Sequence, residues 1–344
     1  MRRKQPSTFQ EDRKNELDPL LQRKINELGL HLEGTVLEKL VKLLEAECVA
    51  AGISRVRPVC YLTEEWGVPE GVPVIGIPYY LADERLKKLE EDVVEGETED
   101  EILSYLRHEF GHVFNYAYRL YTTDEWSRIF GPPSRPYIEE FQPEPFSRDF
   151  VRHISGWYAQ KHPDEDFAET FAVWLTPGSD WKARYAGTVA EKKLEYVDRT
   201  VRRLGGHEPD VSSGEADVTV EGITYTVEEH LARYRDPAVA IPPYFDGDLR
   251  DLFGKPGKES EPASAFLKRH RRLMQKRVAH WTGVREGVIR SLIDHLSQRA
   301  ETLGIHLDVR RGERVLIDVM AYLTTLSMNY LYKGAFHPSA GAKR

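Results

Sequence analysis

Cysteine is nearly absent from this chain. Cys48 and Cys60 are the only two in 344 residues, and their spacing gives no C-x-x-C pair. That excludes a disulfide framework and a cysteine zinc finger; a single Cys48–Cys60 bridge stays open, and reduced thiols in a cytoplasm are the expectation. Long apolar runs are missing as well. The longest nearly apolar stretch, 72–82, contains Pro73 and Pro78, and it falls far short of the roughly 20 residues a membrane helix needs. Residues 1–15 are basic and polar with no apolar core, so no secretory signal is read there and the expected location is cytoplasmic. The chain has no Gly-rich phosphate loop and no Ser or Cys nucleophile motif. It also lacks a positive balance: 48 basic against 56 acidic residues leave a net charge of −8. That argues against nucleic acid or an anionic membrane as a partner.

What the chain does have is His108-Glu109-Phe110-Gly111-His112. The stretch lies inside 97–120, which reads as one helix. Thr98 and Glu101 form a capping box at its start, and Leu103, Leu106, Phe110, Val113 and Phe114 make a core-facing stripe. Two histidines four residues apart share a helix face, so both rings can reach one ion, and Glu109 is placed to act on water bound to that ion. Zinc in a hydrolase usually takes three protein ligands and keeps one position open. The third has to come from elsewhere. Asp164-Glu165-Asp166-Phe167-Ala168-Glu169 opens a helix after Pro163, and Glu165 and Glu169 again share a face. One of the two can bind the metal while the other accepts a hydrogen bond from a ligand imidazole. His153 and His162 compete as ligands but read as ordinary polar histidines. Phe110 and Phe167 are expected to pack the two ligand helices together.

The remainder sorts into a coarse plan. Residues 1–18 read as a flexible tail, 19–206 as the domain that carries the motifs, 207–217 as a linker, and 218–344 as a mainly helical C-terminal region. In the first domain, 35–52 reads as a capped helix. Residues 57–62 and 72–81 read as strands, with Gly76 and Pro78 placing the second at an edge where an extended peptide could pair. Residues 129–146, with five prolines among aromatics, cannot be regular helix and read as a loop packed near the site. Residues 218–227 read as a small hairpin and 236–264 as a loop. Two long helices close the chain, at 265–303 with a break near Gly283 and at 314–332. The basic run Lys268-Arg269-His270-Arg271-Arg272 is read as a solvated face rather than a nucleic-acid patch. The C-terminal helices are a candidate docking module for a protein partner or a cover for the first domain.

HEFGH followed by DEDFAE resembles the gluzincins, zinc metallopeptidases whose third ligand is a glutamate on a second helix. Distantly, the pattern is similar to the catalytic domain of anthrax lethal factor. The longer string WYAQKHPDEDFAETFAVWLTP resembles the bacterial zinc-binding metallopeptidases, over roughly residues 20–200. Members of that group often begin with a cysteine zinc ribbon, which is not found here. The resemblance implies an α+β, zincin-like domain: a small sheet with an edge strand beside the active-site helix. It implies Zn2+ on His108, His112 and Glu165, with Glu169 one turn on as the hydrogen-bond partner of a ligand imidazole. Lethal-factor-like enzymes carry a catalytic tyrosine seven residues before the glutamate ligand, and here that position is Tyr158; Tyr185 and Tyr196 are lesser candidates. The implied activity is hydrolysis of a peptide or protein substrate. Zinc supplies an acidified water, Glu109 takes its proton and passes it to the leaving amine, and the Tyr158 hydroxyl helps hold the oxyanion. Two rivals remain: a non-catalytic interaction protein with a structural zinc, and a metal-dependent hydrolase of a non-peptide amide.

Overall fold

The computed structural model describes residues 19–93, 97–138, 141–233 and 245–336. The tail expected over 1–18 lies outside the described residues. The protein is mainly helical with very little sheet, a composition compatible with an α+β layout. Its contacts group it into two units. The first comprises the described residues of Met1–Ile138, Arg148–Ile154 and Ala159–Arg235; the second comprises those of Glu139–Ser147, Ser155–Tyr158 and Asp236–Arg344.

The first unit is built around one helix. In order it contains α1 (Val36–Ala50), β1 (Cys60–Thr63), β2 (Ile75–Pro78), α2 (Glu84–Val93), α3 (Glu99–Ala117), α4 (Asp124–Phe130), α5 (Pro163–Leu175), α6 (Val189–Leu204) and α7 (Val227–Arg233). Helix α3 starts where the sequence predicts. The Thr98 hydroxyl accepts from the Glu101 N–H, while the Glu101 carboxylate accepts from the Thr98 N–H, so two orphan donors are satisfied together. All five residues of the expected stripe are buried. Helix α3 packs on α5, α1 and β2. The α1 contact includes a buried ion pair in which the Arg107 guanidinium donates to both carboxylate oxygens of Glu47, at 2.8 and 2.6 Å.

Strands β1 and β2 pair in parallel, with Cys60 opposite Ile75 and Leu62 opposite Ile77. In this two-stranded sheet β2 is an edge strand, as expected, and an isolated bridge meets that edge at Gly76. Gly67 bridges it from the side away from β1: each glycine N–H donates to the other's carbonyl, at 2.7 and 3.3 Å. A Cβ at position 76 would lie 2.6 Å from Thr63 Cγ2, so any larger residue there would have to displace that side chain.

The sequence pattern puts residues 218–233 in the C-terminal region, yet they group with the first unit. The hairpin expected there is a 3-10 turn, Val220–Gly222, followed by α7. The segment bonds to the start of the unit instead of to itself: the Ile25 N–H donates to the Tyr225 carbonyl, Asn26 to Ile223, and Val227 to the Arg23 carbonyl. Val220, Ile223, Val227 and Leu231 then add to the core of the first unit. The stretch 207–217, expected to be a linker, is anchored too. The Val211 N–H donates to the Ala117 carbonyl and the Tyr118 hydroxyl to that of His207.

The second unit contains α8 (Asp246–Phe253), β3 (Ser260–Pro262), α9 (Ala263–Thr282), α10 (Glu286–Thr302), β4 (His306–Asp308) and α11 (Gly312–Lys333). Helix α8 and β3 lie where a loop is expected. Gly283, in the left-handed region at φ 78°, ends α9 and turns the chain into α10, which is the break read from the sequence. Leu292, Ile293, Leu296, Val315, Val319 and Leu323 form its core. On α9 the basic run is balanced by acids of the same unit: Lys268 pairs with Glu301, Arg269 with Glu261, Arg271 with Asp294, and Lys276 with Glu286. Among the described residues, no helix is long and apolar enough to cross a membrane.

Candidate metal centre

The site forms where α3 crosses α5, and small residues set how closely they meet. A Cβ on Gly111 would lie 2.8 Å from the Ala168 Cα and 3.0 Å from its carbonyl oxygen. The aromatic packing beside this crossing differs from expectation. Phe110 and Phe114 meet Phe171, with ring centroids 6.0 and 5.2 Å apart. Phe167 faces away toward Trp126 and Phe130. The expected Phe110–Phe167 seam is therefore a Phe110–Phe171 seam, one helical turn along.

Helix α5 begins with His162 as N-cap, its Nδ1 accepting from the Asp164 N–H, and Pro163 in the first helical position. Asp164, Glu165 and Asp166 then fill the first turn, where the positive end of the helix dipole favours carboxylates. Each of the three finds a partner within the protein rather than pointing into water.

Three ligand atoms converge. His108 Nε2 lies 3.1 Å from Glu165 Oε2, His112 Nε2 lies 3.3 Å from the same oxygen, and the two Nε2 atoms are 3.3 Å apart. A tetrahedral zinc with bonds of about 2.0–2.1 Å places its ligand atoms about 3.3 Å from one another. The three side chains therefore already have the edge lengths of a zinc tetrahedron, and they form a buried group that could hold a metal ion.

The far sides of both rings are fixed by carboxylates. His108 Nδ1 is 2.9 Å from Glu169 Oε1, and His112 Nδ1 is 3.1 Å from Asp164 Oδ2. An N–H at each Nδ1 leaves the Nε2 lone pair for a metal. The carboxylates are themselves held. Glu169 accepts from the backbone N–H of His153 at 3.1 Å and of Ile154 at 3.0 Å. Asp164 accepts from Asn115 Nδ2 at 2.7 Å and from the Tyr116 hydroxyl at 2.6 Å. The sequence points to Glu169 for such a role and not to Asp164. A run of four acids within six residues is nevertheless a signal, since a helix dipole alone accounts for one or two. Asp166 has a separate task, a buried ion pair with Lys193 at 2.6 Å.

The electrostatics favour positive charge in the cluster. Burial depresses the His108 imidazole, but hydrogen bonds to Glu165 and Glu169 outweigh it and raise the group to about 9. His112 is likewise raised well above its usual value, as the Asp164 and Glu165 carboxylates overcome burial. Glu165 is held well below the usual carboxylate range by the two imidazoles, against the effect of burial. Glu109 behaves oppositely: burial raises its carboxyl, and the nearby histidines offset that only in part. Glu109 is itself buried, on α3 between His108 and His112.

The competing histidines are engaged elsewhere. His153 Nε2 donates to the Ser104 carbonyl, and His162 Nε2 to that of Arg135. Tyr185 accepts from the Arg152 N–H, and Tyr196 is buried in the core. Tyr158 opens a short 3-10 turn, Tyr158–Gln160, is half-buried, and groups with the second unit. A tyrosine that the sequence does not single out, Tyr137, donates its hydroxyl to Glu165 Oε1 at 2.7 Å. Sequence reasoning misses it. The proline-rich loop is expected near the site, but nothing in its composition distinguishes Tyr137 from its aromatic neighbours.

Two helices crossing at a glycine bring together two imidazoles and a carboxylate that could hold a metal ion, with a buried glutamate beside them. Residues 74–200 match a protein family described as "Putative zinc-binding metallo-peptidase". The matched span contains every residue of the cluster, and at the general level it supports a peptidase. No curated protein and no solved structure gives a significant match.

Proposed function

We propose that the protein is a zinc-dependent peptidase of gluzincin type, with Zn2+ held by His108, His112 and Glu165. The observation that supports this best is that one oxygen, Glu165 Oε2, faces both imidazole Nε2 atoms at tetrahedral spacing, while Glu109 sits in the same turn of α3. Bound zinc supplies an acidified water and a Lewis acid for the substrate carbonyl. Glu109, whose carboxyl is raised by burial, would serve as general base, receiving a proton from the attacking water and passing it to the leaving amine. Glu169 and Asp164 keep both rings in the metal-binding tautomer. Tyr158 is proposed as an oxyanion partner on the strength of its spacing alone. The first unit is read as zincin-like, with a distant similarity to anthrax lethal factor.

The substrate is a peptide or protein. No nucleic acid or membrane is proposed as partner, and the second unit is offered as a docking module for a protein. Location in the cytoplasm is supported by two free thiols, both pushed up by burial, Cys60 to about 12.

The test compares wild type with Glu109→Gln, for bound zinc and for cleavage of a mixed peptide library. Zinc should be retained while cleavage falls by about 10²- to 10⁴-fold, the usual worth of a general base. Zinc without cleavage in the wild type favours a structural site. Cleavage only of non-peptide amides favours the other hydrolase. Equal cleavage by both proteins removes Glu109 from the mechanism.

A further inference from the structure

Glu165 has two oxygens, and only one of them faces the imidazoles. Oε2 lies 3.1 and 3.3 Å from the two Nε2 atoms, while Oε1 accepts the Tyr137 hydroxyl at 2.7 Å. A hydrogen bond of that length to an ionised oxygen is charge-assisted and directional. The loop that carries Tyr137 is fastened to the start of α5 at several points. His162, the N-cap of α5, donates from Nε2 to the Arg135 carbonyl at 2.8 Å. Pro163 closes against Gly131, where a Cβ would come within 3.3 Å of the proline Cγ. The Lys161 ammonium sits 4.3 Å from the Tyr137 ring centroid, and the His162 ring lies 5.5 Å from it on a tilted contact. The tyrosine is therefore located by the helix whose carboxylate it binds. The residue is 46% exposed, so burial of aromatic surface does not explain this placement.

We propose that Tyr137 is a positioning residue of the metal centre. By occupying Glu165 Oε1 it presents Oε2 alone to the metal and keeps Glu165 from binding through both oxygens. A catalytic site needs an open position for water, and a chelating carboxylate would take it. This rests on the reading of His108, His112 and Glu165 as metal ligands.

The test loads wild type and Tyr137→Phe with cobalt(II) in place of zinc and records the visible spectrum, whose intensity reports coordination number. Zinc affinity is measured in parallel by competition with a chelator. The phenylalanine keeps the ring contacts to Lys161 and His162, and the circular dichroism of the two metal-free proteins should coincide. The wild type should show the intense bands of a four-coordinate ion. The variant should show weaker bands, as Glu165 swings to offer both oxygens, together with zinc affinity reduced about 10-fold or more, as for other outer hydrogen bonds to metal ligands. An unchanged cobalt spectrum overturns the assignment of Tyr137 whatever the affinity does. A wild type that takes up no cobalt overturns the metal centre itself, and the inference with it.

Discussion

The two units of this protein bury different things. The first encloses His108, Glu109, His112, Glu165 and Glu169 at one helix crossing, and elsewhere the pairs Arg107–Glu47, Lys193–Asp166 and His230–Glu90. Among the described residues of the second, the one buried ionisable group is Asp308, at the rim of a short strand and paired with Arg310. Its other buried polar side chains are neutral, such as Ser297, whose hydroxyl donates to the Ser264 carbonyl inside an apolar core. Moving an ionic group out of water costs several kcal/mol even after relaxation. A fold that needed only stability would be built like the second unit. The first accepts that cost repeatedly, and at the crossing of α3 and α5 the return is a set of atoms that could hold a metal ion.

The largest effect that would sharpen this contrast is expected from Glu169→Ala. It strips His108 Nδ1 and the N–H groups of His153 and Ile154 of their acceptor in a fully buried spot. Loss of one partner from a buried ionic group costs about 3–5 kcal/mol. Because the His108 ring loses its anchor, zinc affinity should also fall by about 10- to 100-fold. Denaturant titration and chelator competition measure the two separately. If zinc binding is abolished by Glu169→Ala and survives in Glu165→Ala, the ligand lies one helical turn beyond Glu165.

Leu292→Ala is the matching change in the second unit. A fully buried leucine truncated in an apolar core costs about 2–5 kcal/mol. Its effect on zinc affinity, measured under native conditions, should be nil. A drop in zinc affinity with that variant would break the comparison, since it would tie the apolar unit to the ionic one.

Much of the first unit is legible in the sequence. The Thr98–Glu101 box, the stripe on α3 and the His108–His112 spacing are local: each depends on residues three or four apart on one helix, and helix geometry fixes them. Glu165 and Glu169 can be nominated because they share a face. Their division of labour comes from a family resemblance, since nothing in their spacing says which one faces α3. What stays hidden is whatever depends on the path of the chain between elements. Residues 218–233 join the first unit through backbone bonds to residues 23–26, for which side-chain patterning carries no signal. Tyr137 reaches Glu165 only because the proline-rich loop doubles back onto the start of α5. Asp164 reaches His112 only because Gly111 lets the helices touch.

The glycine at that crossing sets the smallest effect expected here, and the most pointed. In most helix interiors alanine is favoured over glycine by about 0.8–1 kcal/mol. At position 111 the added methyl would sit 2.8 Å from a backbone carbon of α5, 3.0 Å from a carbonyl oxygen and 3.2 Å from the Phe171 Cβ. Backbone cannot rotate aside as a side-chain tip can, so α3 and α5 have to move apart. Overpacking of this kind costs about 1–3 kcal/mol, which exceeds the propensity gain. Gly111→Ala should therefore be mildly destabilised while its α3 is intrinsically the better helix. The site feels the change more than the fold does. Glu165 lies one turn before Ala168 on α5 and moves with it, whereas His108 and His112 move with α3, so the 3.1 and 3.3 Å edges lengthen together. Zinc affinity should fall in Gly111→Ala while the stability of the metal-free protein changes by no more than that small difference. If both stay at wild-type values, the helices have room to spare at the crossing, and the metal geometry is set by the carboxylates behind the rings instead.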